Sequence, residues 1–182
     1  MSYKFKTLLF IPVYNCENTI IEGLENYFFK EKKIFFDRVL FVDNQSEDNT
    51  ILKIKKFIKK IKTKNKKTKF VIFKNKENYN YGGSNKIAFS YANKNKFDYL
   101  FISSGDHQGF IIDLVNAFKK ESNKQKSFFG ARFHKEANFD KYSKKRIFIN
   151  IIINKIFSFF MNIEINDLGC GQTILNCKYL KN

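Results

Sequence analysis

"RVLFVDNQSEDNTILKIKKFIKKIKTKNKKTKFVIF", residues 38–73, reads as strand, helix, strand. Val39 to Val42 form a short continuous apolar run closed by Asp43, the pattern of a strand buried on both faces. Asn49 or Thr50 then caps a helix whose apolar stripe is Ile51, Ile54, Ile58 and Ile61, with lysines elsewhere. "KFVIF" (69–73) resumes the strand pattern. Strands joined by helical crossovers imply a parallel-rich sheet with helices on both faces.

The same alternation extends in both directions. "TLLFIPVY" (7–14) is another buried run, followed by a helix over 18–30 that carries Ile20, Ile21 and Leu24 on one side. Beyond residue 73, a Gly-Gly turn precedes a helix over 84–95, then come a strand "DYLFIS" (98–103), a helix over 109–120 and a strand "SFFGARF" (127–133). The pattern predicts one α/β domain spanning 1–182, with no linker or internal repeat. In such sheets ligands bind beyond the carboxyl ends of the strands. Polar residues gather at those ends: Tyr14 to Glu17, Asp43 to Ser46, and Asp106 to Gln108. The lone acid in "FISSGDHQGF" (101–110) has three readings: a metal ligand, a cap for the next helix, or a carboxylate facing water.

Composition narrows the function classes. A chain of 182 residues that is 43% hydrophobic and holds 23 Phe has enough apolar surface for a packed core. The formal charge of +17 is high for this length. Codon bias accounts for part of it, since Lys, Asn, Ile and Phe are abundant together while Pro occurs once. The rest suits an anionic membrane surface better than nucleic acid, because the cations do not interleave with aromatics and no nucleic-acid motif occurs. Cys16, Cys170 and Cys177 lack Cys-x-x-Cys spacing, so neither a zinc site nor a disulfide framework is expected, and a reducing cytoplasm fits best. The N-terminus has no signal-peptide pattern.

"RIFINIIINKIFSFFMNIEI" (146–165) differs from the rest. Asn150, Asn154, Ser158 and Asn162 recur every four positions and draw one narrow polar stripe on an apolar helix. The basic cluster "KYSKKR" (141–146) precedes it. Two readings of the 141–163 element stay open: an anchor at a membrane interface, or a helix packed under the sheet with the cations merely solvated.

The motifs "IPVYNCENTI" (11–20), "FVDNQSEDNT" (41–50), "ENYNYGGSNKIAFSYA" (77–92), "SSGDHQG" (103–109), "GARF" (130–133) and "DLGCG" (167–171) occur in register. Together they resemble the family-2 glycosyltransferases, in the branch of dolichyl- and polyprenyl-phosphate sugar synthases. The resemblance implies a Rossmann-like glycosyltransferase A fold, a nucleotide-diphosphate sugar donor, Mg2+ or Mn2+, and inversion at the anomeric carbon. It places Pro12, Tyr14, Asn15 and Glu17 at the nucleotide wall. Asp43, Asn44 and Ser46 stand at the base and ribose, with Asn44 replacing the family's second acid. Gly82, Gly83 and Lys86 approach the donor, and Arg132 lies near a phosphate. Asp106 and Gln108 hold the metal, Ser104 replacing the first acid of the usual Asp-x-Asp. Asp167 is the late acid: a base when the acceptor is a sugar hydroxyl, a positioning group when it is a phosphate. The acceptor implied is a lipid-linked phosphate or a growing cell-surface glycan, met in the cytoplasm at the inner face of the membrane. The chain ends soon after the acceptor motif, where relatives often continue, so the domain is short at its C-terminal end. Two rivals remain: a nucleotide-sugar-binding subunit without catalysis, and a basic nucleic-acid-binding domain suggested by the lysines of 53–69.

Overall fold

A computed structural model of the chain describes residues 5–64, 66–106, 109–121, 125–131 and 143–180. Strands β1 (Thr7–Val13), β2 (Arg38–Asp43), β3 (Lys69–Lys74), β4 (Tyr99–Ile102), β5 (Phe128–Phe129) and β6 (Thr173–Asn176) form one sheet in the order β3-β2-β1-β4-β6-β5. The β1/β2, β2/β3 and β1/β4 pairs are parallel, while β6 runs antiparallel to both β4 and β5. Helices α1 (Ile20–Phe28), α2 (Thr50–Lys64), α3 (Asn80–Lys94) and α4 (Ile111–Lys120) are the crossovers, and α5 (Lys144–Met161) follows β5. The expected mostly parallel α/β sheet flanked by helices is the observed one.

The apolar runs are continuous because each central strand is covered on both faces. Along β1, Leu9, Ile11 and Val13 join the cluster under α1, α2 and α4, while Leu8 and Phe10 face Ala88 and Ala92 of α3. Phe35, Phe36, Phe101, Phe118 and Tyr99 meet edge to face in the larger cluster, with ring centroids 4.7–5.7 Å apart. Rings in this arrangement bury large areas and gain from quadrupole contact as well.

Several expectations are corrected. Strand β6 was not anticipated; it inserts between β4 and β5, and in the described part of "SFFGARF" (127–131) the strand covers only Phe128–Phe129. Helix α3 begins at Asn80, not 84, and carries Gly82 and Gly83 in its first turn. Asn78 Oδ1 accepts from Asn80 N (2.9 Å), satisfying one amide of that turn. At α2 the capping acceptor is Asp48, whose Oδ1 takes Thr50 N (2.9 Å), rather than Asn49 or Thr50. Asn162 leaves the polar stripe: it adopts a left-handed φ of 51° as the residue that closes α5.

Strand order positions the site. The chain steps from β1 outward to β2 and β3, then α3 carries it back across to β4 on the other side of β1. The crevice of such a sheet lies where the direction reverses, beyond the carboxyl ends of β1 and β4. Pro12 belongs to this opening. The backbone of Phe10 bonds toward β4 through Ser103 N (3.1 Å), and that of Val13 toward β2 through Asn44 N (2.9 Å). By alternation Pro12 faces the β4 side, where pairing has already ended at Ile102, so its missing N–H costs no ladder bond.

Candidate active site

The turns after β1 and β2 are bonded together. Asn15 N donates to Ser46 Oγ (3.0 Å) and Glu47 N to Asn15 Oδ1 (2.9 Å). Glu17 N donates to Asp48 Oδ2 (3.0 Å), Asn49 N to Glu17 Oε2 (3.1 Å), and Cys16 N to Thr50 Oγ1 (2.8 Å). Burial opposes ionisation of Asp48, but hydrogen bonds from Thr50 and the Glu17 amide, with the Lys53 charge, outweigh it and hold its carboxyl below the ordinary value. Asn15 and Gln45 both sit at positive φ, 45° and 69°, so each turn keeps a left-handed residue at the ligand edge.

The turn after β3 is tied on by amides. Asn44 Oδ1 accepts from Asn75 Nδ2 (2.9 Å) and Tyr79 N (2.8 Å), and its Nδ2 donates to Asn78 Oδ1. Gln45 Nε2 reaches the carbonyls of Asn75 (2.8 Å) and Lys76 (2.6 Å). Asn44 therefore holds the entry to α3. A carboxylate in its place could accept from Asn75 and Tyr79 but could not donate to Asn78.

Asp43 ends β2 with no exposed surface; Oδ1 accepts Ser46 N (3.1 Å), and Oδ2 is buried without a hydrogen-bond partner among the described residues. An unpartnered buried acceptor is costly unless a ligand N–H or O–H satisfies it.

The turn after β4 rests on β1. A Cβ at Gly105 would lie 2.9 Å from Val13 Cγ1 and 3.0 Å from Pro12 O, so only glycine permits this approach. Thr19 Oγ1 donates to Gly105 O (3.2 Å). Asp106 follows, exposed at the switch point. The 167–172 segment closes the other side. Asp167 Oδ1 accepts Gly169 N (3.0 Å), and Gly171 lies against Ser104, with 4.0 Å between the position of its absent Cβ and Ser104 Cβ. Gln172 Nε2 donates to Phe110 O (3.1 Å).

Tyr81 and Cys170 join the site unanticipated. Tyr81 is half-exposed; the part of it that is buried pushes its phenol up, the hydrogen bond with Asn85 lowers it, and Cys170 and Asp106 raise it further through charge. The hint that the sequence offers is Tyr81, the second of two tyrosines inside "NYNYGGSNK". Gly83 is needed for packing, since a Cβ there would strike Tyr79, whereas Gly82 is open and exposed. Tyr14 and Lys86 are exposed. Arg132 and Gln108 lie outside the described residues, so the second ligand of the expected metal pair does too.

The donor set suits a hard cation in part. Asp106 and Ser104 offer oxygen, as Mg2+ and Mn2+ prefer. Among the described residues no group of three or more His, Cys, Asp or Glu forms a metal cage. A cation here would need a nucleotide's phosphates as further ligands.

Fold and crevice define a glycosyltransferase A domain. Residues 9–182 match Glycosyl transferase family 2, and the chain belongs to that family. Among solved structures it is similar to mannosyl-3-phosphoglycerate synthase from Rubrobacter xylanophilus, with TM-score 0.63, 14% identity, and 96% of this chain on 54% of that one. Glucosyl-3-phosphoglycerate synthase from Mycobacterium tuberculosis, solved with UDP, gives TM-score 0.60 at 10% identity, covering 96% and 58%. A mannosyltransferase from Pyrobaculum calidifontis, solved with GDP-Man and Mn2+, gives 0.50 at 18% identity, covering 67% and 34%. The chain thus spans little more than half the length of the first two. No curated protein matches the sequence.

Proposed function

We propose that the domain is an inverting glycosyltransferase that moves a sugar from a nucleotide-diphosphate donor to a polyprenyl phosphate or cell-surface glycan, in the cytoplasm at the inner face of the membrane. The observation that carries this reading is the switch-point crevice, with the unpartnered Asp43 Oδ2 on one side and Asp106 on the other. Asp43 accepts an N–H or O–H of base or ribose. Tyr14 and the bonded Asn15, Glu17 and Ser46 wall the nucleotide, and the open backbone at Gly82 with Lys86 admits the phosphates. Arg132 meets a donor or acceptor phosphate. Asp106, with Gln108, would hold Mg2+ or Mn2+, and the cation would supply positive charge to the leaving diphosphate.

The acceptor oxygen attacks the anomeric carbon from the face opposite the leaving diphosphate, one C–O bond forming as the other breaks. A phosphate acceptor needs no base. A hydroxyl acceptor gives its proton to Asp167, whose Gly169 bond orients the carboxylate. The departure at Ser104 favours a second reading, a nucleotide-sugar-binding subunit without turnover, because one carboxylate fewer weakens the metal site. A thermal-shift screen of nucleoside diphosphates and their sugars, with and without Mn2+, followed by product analysis, tests both. Sugar transfer supports the enzyme, binding without turnover supports the subunit, and no stabilisation by any nucleotide removes both.

A further inference from the structure

Helix α5 turns Asn154 and Ser158 inward. Asn154 Nδ2 donates to Asn166 O (2.8 Å), and Asn154 Oδ1 accepts Leu168 N (3.1 Å). One turn on, Ser158 Oγ accepts Ile165 N (2.9 Å). Residues at i and i+4 share a helix face, so the chain returning through 165–168 lies along this stripe. Asn154 is buried, whereas the apolar side chains are not: Phe148 is 65% exposed, Phe159 83%, Phe160 79% and Met161 56%. Phe159 and Phe160 touch edge to face, with centroids 5.6 Å apart. The reading of a helix packed beneath the sheet is therefore replaced. A contiguous apolar surface of this kind marks an interaction site on a soluble domain.

We propose that this surface docks on an anionic lipid bilayer, with α5 lying in the interface. The inference deepens the lipid-linked acceptor reading and rests on it for the usefulness of the contact; the surface itself does not depend on it. Charge selects the occupant. Lys144, Lys145 and Arg146 open the helix and Lys155 follows, while residues 141–163 contain no Asp or Glu. Cations at a helix N-terminus oppose the macrodipole, and Ser143 makes no side-chain cap there. That end is destabilised in isolation and relieved by phosphate-bearing headgroups. A second copy would bring another chain of charge +17 and the same basic cluster against this one, so like charges disfavour it. The helix has 18 residues, and among the described residues no helix is long and apolar enough to cross a membrane. An in-plane seat with the aromatic rings below the headgroups fits both facts.

The test is flotation of the full chain with phosphatidylcholine vesicles and with phosphatidylcholine–phosphatidylglycerol vesicles, at low and high salt. Wild type floats with the anionic vesicles, and high salt weakens this only in part. K144Q/K145Q/R146Q loses roughly tenfold or more of its affinity and its salt dependence. F159S/F160S, altered where the rings are most exposed, loses roughly tenfold or more at either salt. Calorimetric nucleotide binding is the same in all three proteins. Wild type that stays with the soluble fraction in anionic vesicles overturns the proposal. So does a wild-type dimer that F159S/F160S converts to monomer without vesicle binding, because a second copy then covers the face. Vesicle binding without any nucleotide binding keeps this inference and counts against the donor reading alone.

Discussion

At the carboxyl edge of the sheet, Asn15, Glu17 and Ser46 face one another across two turns, and the apolar strand residues behind them are sealed in the core. On α5, Asn154 and Ser158 face a single returning loop, and the apolar residues are left outside. The same requirement operates in both regions, since buried polar groups must be bonded. The outcomes differ because the edge has a sheet and four helices to cover its apolar side, whereas among the described residues α5 bonds only to its own return segment. Satisfying polar groups thus fixes local geometry in both places, but only the first also closes a core.

The largest effect that would test this contrast is in the core. Phe101→Ala removes a ring in contact with Phe35, Phe36 and Phe118 and should cost about 3–5 kcal/mol of global stability. Denaturant midpoints measure it, and a loss below about 1 kcal/mol would mean that the aromatic cluster does not hold the sheet.

Asn154→Ala should behave differently. It leaves Leu168 N and Asn166 O without their side-chain partner, a penalty of about 1–3 kcal/mol confined to α5 and its return. Hydrogen exchange should quicken at 163–168 while amides of β1 and β2 keep their protection. Equal quickening throughout would merge the two regions into one cooperative unit.

The smallest effect concerns Asp48. Its folded-state pKa is depressed, so its stabilisation is present above the unfolded value of about 3.9 and is lost as pH falls through the lower folded value. Asp48→Asn keeps an acceptor but removes the charge, so it should lower stability by about 0.3–1 kcal/mol at neutral pH. The gap should start to close at about pH 4 and vanish as pH falls through the lower folded value. A gap independent of pH would remove the carboxylate's charge from the account.

Legibility in the sequence followed the same division. Continuous apolar runs located β1 to β4 because burial on both faces leaves a pattern in the residues themselves. Strand β6 left none: "TILN" is four residues long, antiparallel, and paired to strands distant in sequence. The start of α3 was hidden by Tyr79–Gly83, whose glycines and asparagines read as a turn until Asn78 and Tyr79 are seen to support it. At the site, position was legible and partnership was not. Asn15, Glu17 and Ser46 fall at the expected edge, yet that Asn15 bonds Ser46 while Glu17 bonds Asp48 and Asn49 depends on the β1/β2 register. The polar stripe of α5 was visible at Asn154 and Ser158, but its direction depended on where the chain returns.

The central claim is that the lone acid at the switch point, Asp106, couples a cation to a nucleotide. Isothermal calorimetry of a nucleoside diphosphate that the thermal-shift screen identifies, with and without Mn2+, tests it in wild type, Asp106→Ala and Ser104→Asp. The account predicts that metal and nucleotide each bind poorly alone and well together. Asp106→Ala should abolish the metal-dependent part, and Ser104→Asp should strengthen it by adding a carboxylate ligand. Nucleotide binding indifferent both to Mn2+ and to the loss of Asp106 would contradict the account.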